Sequence, residues 1–506
     1  MNGVDGVDGE ADVVVVGGGP VGLFLAAELG LAGVSVTLVE KLDRFGRADN
    51  PALRGITTRT MRTLALRELD RPIVAAAEQA LHALIGKAAR PSPGQVASTT
   101  LGRSGITKGH LGMVPLTDPA GEFTDVALLP VPYATVREVF AERATRHGVR
   151  IIRGRAVLDL TAGPQEVMAR LDDGQRIRGR YLVGADGGRS TVRRLAGFDF
   201  PGTDPALFAV GGEEVTLRDK EKLPQGFTRT PRGVLMVDVV PGQVVAIEHG
   251  APPASPLEPA TRAELETILR RVSGTDVTVG SARTLFRYSD NARQSSTYRR
   301  GRVLLVGDAA HVHSPFGGQG INLGVQDAAN LGWKLAGVLR GTAPAELLDT
   351  YTAERHPVGA RVLRNSRAQS ALLRYGPDVD ALRELLTDLV ELPEARAHLI
   401  GMVHALDITY GAADGHPLVG AFICDAVIAS AGGLADGRGL LVGPADLRGL
   451  AARYDGVRWA EGRCRTRPEV AALLVRPDGY VAWARNHGDD QNSPSDALHR
   501  WFGPAR

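Results

Sequence analysis

ADVVVVGGGPVGLFLAAELGLAGVSVTLVE, residues 11–40, decides how the rest of the chain is read. Val13 to Val16 form a continuous β-branched run, too short for a globular helix and suited to a buried strand. Gly17, Gly19 and Gly22 follow in GxGxxG spacing, residues 21–31 have helical periodicity, Gly33 stops them, and residues 34–39 read as a second strand closed by Glu40. Strand, glycine turn, helix, strand and acid is the order a dinucleotide requires. Gly17 permits the tight turn, Gly19 lets the backbone approach a pyrophosphate beside Pro20, and Gly22 lets helix and strand pack closely. The phosphates would sit on the free N–H groups of the helix N-terminus. Glu40 stands where a carboxylate accepts hydrogen bonds from an adenosine ribose, which argues against a 2′-phosphate. The tightly held dinucleotide is therefore expected to be FAD or NAD rather than NADP.

A chain of 506 residues is long enough for two or three domains, each with its own core. A net charge of +2 gives no reason to expect nucleic acid. Cys424 and Cys464 are the only cysteines, which excludes a disulfide framework and a thiol metal cluster. The leading MNGVDGVDGE has no positive segment followed by an apolar one, and no run of 18 apolar residues follows anywhere. A cytoplasmic protein with no membrane partner is expected.

Further along, Arg54, Arg59 and Arg62 cluster around the start of a helix that begins near Thr57, close enough to a dinucleotide strand to reach phosphates or a flavin edge. Residues 83–130 read as loop-rich, with KAARPSPGQ as a surface turn and the remainder suited to an antiparallel sheet interrupting the first domain. Helical and extended segments alternate again from Thr135 to Tyr181, leading into YLVGADGGRSTVRRLAG, residues 181–197. There a strand runs into Gly184, Asp186 and Gly187, with Ser190 and Arg193 on the next helical turn. A second glycine turn so far from the first suggests one nucleotide domain assembled from separated segments. Residues 198–287 alternate like antiparallel strands around one helix, the floor or lid of a cleft.

The third decisive stretch, RVLLVGDAAHVHSPFGGQGINLGVQDAANLGWKLAGVL, spans residues 302–339. A buried strand ends in Gly307-Asp308, and Asp308 can accept hydrogen bonds from a polyhydroxyl chain. Pro315, Gly317, Gly318 and Gly320 make a loop into a helix whose N-terminus suits an anion or an electron-rich carbonyl. His311 and His313 lack the carboxylate or cysteine partners of a metal site and read as core or loop histidines, with a role as bases left open.

Together these motifs resemble those of the FAD-dependent aromatic hydroxylases with the para-hydroxybenzoate hydroxylase fold: Gly17-x-Gly19-x-x-Gly22 with Glu40, Gly184-Ala185-Asp186-Gly187, and Gly307-Asp308 with Gly317-Gly318-Gln319-Gly320-Ile321-Asn322. The resemblance continues through Asn330 to Leu335 and Leu348 to Pro357, and is nearest to the branch that tailors aromatic polyketides. It implies an α/β fold: a Rossmann-like FAD-binding domain from separated segments, an α+β substrate domain with an antiparallel sheet, and a C-terminal thioredoxin-like domain. The expected division assigns 1–82, 131–197 and 288–401 to FAD binding, the last with a helical linker. It gives 198–287 and part of 83–130 to the substrate, and 402–506 to the thioredoxin-like domain, which has no CxxC for thiol exchange.

By the same resemblance Gly17, Gly19, Pro20 and Gly22 hold the FAD pyrophosphate, Glu40 the ribose and Gly307-Asp308 the ribityl chain. Pro315, Gly318, Gly320, Ile321 and Asn322 meet the isoalloxazine, and Asp186 belongs to a fingerprint shared by flavin and nicotinamide. The family often carries Arg where Ala52 stands and Gln where Tyr133 stands; Arg54 and Arg59 are the nearby replacements. The implied activity is a monooxygenase using NADPH, or NADH, and O2 to hydroxylate a polycyclic aromatic polyketide through a flavin C4a-hydroperoxide. Baeyer–Villiger insertion next to a ketone is the alternative. An NAD-linked dehydrogenase, for which GxGxxG alone would suffice, ranks lower because the GD and GGQGIN sequences disfavour it, and a monomer or homodimer is expected.

Overall fold

The computed structural model describes residues 8–44, 53–87, 107–250, 259–411, 415–423, 432–462, 464, 467–489 and 492–506. Ala52, Cys424, the KAARPSPGQ segment beyond Lys87 and the first seven residues lie outside them.

The run at Val13 to Val16 is the C-terminal half of strand Gly9–Val16, enclosed because parallel strands flank it on both sides. Its neighbours are Val36–Glu40 and Arg176–Gly184. Arg150–Arg153 extends the parallel array on one side and Val303–Leu305 on the other. Register places Val16 opposite both Gly184 and Val39, and Gly184 opposite Leu305. All three motif turns therefore leave the same edge of one sheet, side by side, although they are far apart in sequence. Backbone bonds lock this edge: Gly17 N–H donates to Val39 O at 2.8 Å, Ala185 N–H to Val16 O at 2.8 Å and Val306 N–H to Gly184 O at 2.9 Å. Ligands of open α/β sheets bind at such a carboxyl edge.

Helix Pro20–Leu31 packs between helices Gly320–Leu339 and Tyr133–Arg146 over this sheet. Helix Asp70–Lys87 and strand Leu128–Pro132, which pairs with Leu53–Thr57, run across the divisions expected at 82/83 and 130/131. Propensity did not show that pairing, because the two strands are separated by more than one helix.

Strands Leu207–Glu213, Gly226–Thr230, Gly233–Val237, Val244–His249 and Thr284–Ser289 form a five-stranded antiparallel sheet with Gly226–Thr230 and Thr284–Ser289 at its edges. One face buries Val210, Leu235, Val237 and Val244 against helix Arg262–Ser273, which is started by a Thr261/Glu264 capping box. The other face turns toward the nucleotide sheet.

The C-terminal sheet runs Val457–Glu461, Gly439–Gly443, Val470–Val475, Val481–Asn486, with the first pair parallel and the others antiparallel. With helix Ser495–Phe502 this is the strand–helix–strand plus hairpin arrangement of a thioredoxin-like domain. Trp501 and Phe502 pack on Trp333 of the long FAD-domain helix. A buried polar cluster completes the joint. Arg476 pairs with Glu354 at 2.6 Å and Asp478 at 2.5 Å, and Lys334 reaches Glu354 at 2.7 Å. Burial pulls Lys334 down to about 8 against the attraction of Glu354. Burial alone would raise Glu354, but Arg476 and Lys334 prevail and hold it well below the usual carboxylate range.

Candidate active site

A cleft of about 960 Å³ opens where the carboxyl edge of the nucleotide sheet meets the antiparallel sheet. At its nucleotide end stand Gly17, Gly19, Pro20, Glu40, Asp186 and Asp308, and beside them Pro315, Gly318, Gly320 and Ile321. Ten of the expected cofactor residues are thus brought together.

The glycine turn is built as its spacing demands. Gly17 has φ +112°, and a Cβ there would lie 2.3 Å from Ala185 O; a Cβ on Gly22 would lie 2.1 Å from Gly17 O. These two glycines permit the turn and the close helix. Gly19 is different, since a Cβ there would meet only the Tyr133 hydroxyl, at 3.8 Å, and would project into the cleft. The nearest atoms to a Cβ on Gly318 and on Gly320 are likewise 4.0 and 3.7 Å away. Backbone is bare to the cleft at these three points, and the N-termini of Pro20–Leu31 and Gly320–Leu339 carry no side-chain caps. Unsatisfied N–H groups flanking bare backbone fit a pyrophosphate on one side and a flavin carbonyl edge on the other.

Glu40 is anchored at the rim. Its Oε2 accepts from Gly18 N–H at 2.5 Å and its Oε1 from Leu42 N–H at 2.9 Å. Asp186 accepts from Ser190 Oγ, and from the Thr191 and Val192 N–H groups at 2.7 and 3.1 Å, so its carboxylate caps the short helix and shapes the second turn. Asp308 is exposed to the cleft on a single 3-10 turn. Behind that turn Asp327 Oδ2 accepts from Gly307 N–H at 3.3 Å and lies 2.7 Å from His311 Nε2, while Arg355 Nε donates to Oδ1 at 2.7 Å. Burial would raise the Asp327 carboxyl, but Arg355 and His311 outweigh it and hold it below its ordinary value. His311 is thus a core residue. His313 lines the cleft, with Nδ1 against Ser314 O at 2.7 Å, and burial lowers its pKa. Among the described residues no group of three or more His, Cys, Asp or Glu is placed to hold a metal.

Three expected residues sit behind the wall. Gly22 and Gly307 shape turns, and Asn322 donates to Gly55 O at 2.8 Å and Gly318 O at 2.7 Å while accepting from Thr57 N–H at 2.9 Å. Asn322 therefore ties the glycine loop to strand Leu53–Thr57. Arg59 is a correction: it does not line the cleft. Its guanidinium lies 3.4 Å over the Phe422 ring and 4.7 Å from the Tyr480 ring centroid, and it is 2% exposed. Aromatic residues of the C-terminal region, distant in sequence, capture its side chain. Arg54 does line the cleft, 5.3 Å over Tyr133, so of the two replacement arginines it is the one available there. Sequence reasoning passed over Tyr133 as a contact and missed Met236, Val245, Phe286 and Tyr288 on the opposite wall. Their period-2 parity on the strands was the available signal.

Asp308→Ala removes a charge-assisted acceptor without touching packed atoms. We expect FAD affinity to fall by about 10- to 100-fold at unchanged thermal stability, as 1.5–3 kcal/mol per such bond implies. Flavin fluorescence titration of refolded apoprotein checks this, and an unchanged Kd would remove Asp308 from the cradle.

Comparison with known proteins agrees with this geometry. The profile of the FAD binding domain family matches residues 10–366, and that of the aromatic-ring hydroxylase C-terminal family matches 416–505. A rifampicin monooxygenase of Streptomyces venezuelae is 39% identical over 98% of this chain and 99% of its own. The 12-dehydrotetracycline 5-monooxygenase/anhydrotetracycline 6-monooxygenase of Streptomyces rimosus is 37% identical over 97% and 99%. Among solved structures, the anhydrotetracycline hydroxylase OxyS from Streptomyces rimosus superposes with a TM-score of 0.84 at 35% identity, covering 98% of this chain and 100% of that one. A dinucleotide cradle from three strand ends, a facing antiparallel wall and a thioredoxin-like tail on one chain make this protein a member of the FAD-dependent aromatic-ring hydroxylases, a family of flavin monooxygenases.

Proposed function

We propose that the protein hydroxylates a fused-ring aromatic of polyketide type, with NADPH as reductant and NADH as the alternative. The observation that carries this reading is the wall facing the cradle. Met236, Val245, Phe286, Tyr288 and Phe316 line it, with Phe286 and Tyr288 stacked at 6.2 Å and Phe316 edge-on to Tyr288 at 5.9 Å. A broad apolar and aromatic surface suits a large planar ligand held by shape with few polar anchors.

Bound FAD would supply reduction by the nicotinamide and activation of O2. The chain's part is to hold it along Gly19, Glu40, Asp308 and the 315–322 loop, to present the ring opposite, and to keep water out. The names of the relatives, which include tetracycline-pathway hydroxylases, support ring hydroxylation and do not favour Baeyer–Villiger insertion. Among the described residues no helix is long and apolar enough to cross a membrane.

Turnover of polycyclic phenols and ketones with NADPH or NADH and labelled O2 tests this. One labelled oxygen on a ring carbon of an intact skeleton is expected. A labelled lactone, or preference for single-ring phenols, would overturn it.

A further inference from the structure

The cleft face of the antiparallel sheet is read from its register. Gly211 lies opposite Val245 on one side and Phe286 on the other, and Glu213 lies opposite Thr284. A Cβ on Gly211 would come within 2.5 Å of the Phe286 ring and 2.9 Å of Val245, so these positions share one face. Alternation then puts Ala209, Gly211 and Glu213 on it. A carboxylate thus ends a row of small residues, set against aliphatic and aromatic neighbours.

Glu213 is 7% exposed and lines the cleft, and its Oε2 is buried without a hydrogen-bond partner. Buried acceptors are nearly always paired, so an orphan oxygen on a residue that lines a ligand cleft calls for a donor, which the ligand can carry. The other cleft carboxylates, Glu40, Asp186 and Asp308, are at the nucleotide end. Burial raises the Glu213 pKa, as does Glu214 next to it, while Arg54 across the cleft and Arg283 at the adjoining turn oppose the rise. His110 and His313 on the same cleft are both lowered by burial.

We propose that Glu213 is a catalytic base that accepts the hydroxyl proton of the aromatic substrate, so that the site selects rings presenting a phenolic O–H to this sheet. The proposal rests on the hydroxylase reading above. The O–H bond breaks, its proton goes to the Glu213 carboxylate, and the electron pair stays on the substrate oxygen and spreads to the ortho and para carbons. One of those carbons bonds the oxygen atom that the monooxygenase reaction delivers from O2, with NAD(P)H as reductant. Its hydrogen leaves as a proton when aromaticity returns, and Glu213 gives its own proton back to the phenolate. The net change is C–H to C–OH.

The test uses the FAD-loaded protein, with 2-hydroxyanthraquinone and its methyl ether as probes. Without NADPH, flavin difference spectra should show the hydroxyl ligand preferred by about 10- to 100-fold, as expected of a hydrogen bond to a charged group. Glu213→Leu should abolish the preference and leave FAD affinity unchanged. In turnover, kcat of the wild type should fall as pH drops through the raised carboxyl pKa. Glu213→Gln should lose that limb and instead speed up as the substrate hydroxyl itself ionises, with KM for NADPH unchanged. Equal binding of the two probes by wild type and Glu213→Leu would overturn the contact. An acid limb that persists in Glu213→Gln at the wild-type position, rather than moving to the ionisation of the substrate hydroxyl, would overturn the base role alone. Wild-type protein that hydroxylates no polycyclic phenol would overturn the function and the base role together, with the binding comparison still deciding the contact.

Discussion

Gly19→Val is expected to give a folded protein that is purified without flavin. Gly19 caps helix Pro20–Leu31 at φ −71° and ψ 170°, extended backbone that valine adopts freely. A Cβ there would meet only the Tyr133 hydroxyl, at 3.8 Å. Folding should therefore proceed, while the isopropyl group fills the place where a pyrophosphate must approach the helix N–H groups. Losing even two charge-assisted bonds at about 1.5–3 kcal/mol each lowers affinity more than 100-fold. Gly17→Ala is the contrasting control. With φ +112° and a backbone oxygen 2.3 Å from the new Cβ, it should damage folding itself. Absorbance at the flavin band and a thermal melt separate the two outcomes. Yellow Gly19→Val protein with wild-type FAD affinity would place the pyrophosphate elsewhere.

The second large effect is on stability. Arg476→Ala should cost about 3–5 kcal/mol, because it takes the buried ion partner from Asp478 and leaves Glu354 with Lys334 alone in the joint between the long helix and the C-terminal sheet. Arg476 is 2% exposed, so water cannot take over its role. The pH dependence follows from Glu354. Its folded-state pKa is held below the unfolded value, so its contribution is present above the ordinary carboxylate range and is lost as pH falls through the folded value. Without Arg476 the folded value rises, and acid unfolding should begin at a higher pH. Urea melts at neutral pH and an acid titration followed by circular dichroism measure both. A melt within 1 kcal/mol of wild type would show the cluster to be dispensable.

Most of the cradle was legible because each of its pieces is local. A β-branched run, a glycine turn and a helix start are written within about 20 residues, and three copies of that grammar pointed to one assembled domain. Their adjacency depends on the pairing of Val16, Gly184 and Leu305, which only the folded sheet shows. Arg59 misled because its helix was located correctly while its direction is set by Phe422 and Tyr480. Asp327 and Arg355 were unreadable for a similar reason. Each looks like a solvated helix charge until the turn at Gly307 and Tyr410 close over them. The parity that puts Glu213 beside Gly211 was present in the sequence, but no charge partner marked it out.

The side-by-side placement of the three turns also bears on how the protein is made. Strand Gly9–Val16 leaves the ribosome well before its partner Arg176–Gly184 and the next strand, Val303–Leu305. The helix that covers it, Gly320–Leu339, comes later still. Such long-range pairing carries a loop-closure cost that slows folding. The nascent chain must carry an incomplete parallel sheet, without a flavin site, through most of translation. The cradle is complete only once helix Gly320–Leu339 has emerged. A shortage of flavin in the cell would therefore leave an assembled but empty nucleotide domain to wait for its cofactor, rather than halting the assembly of the nascent chain.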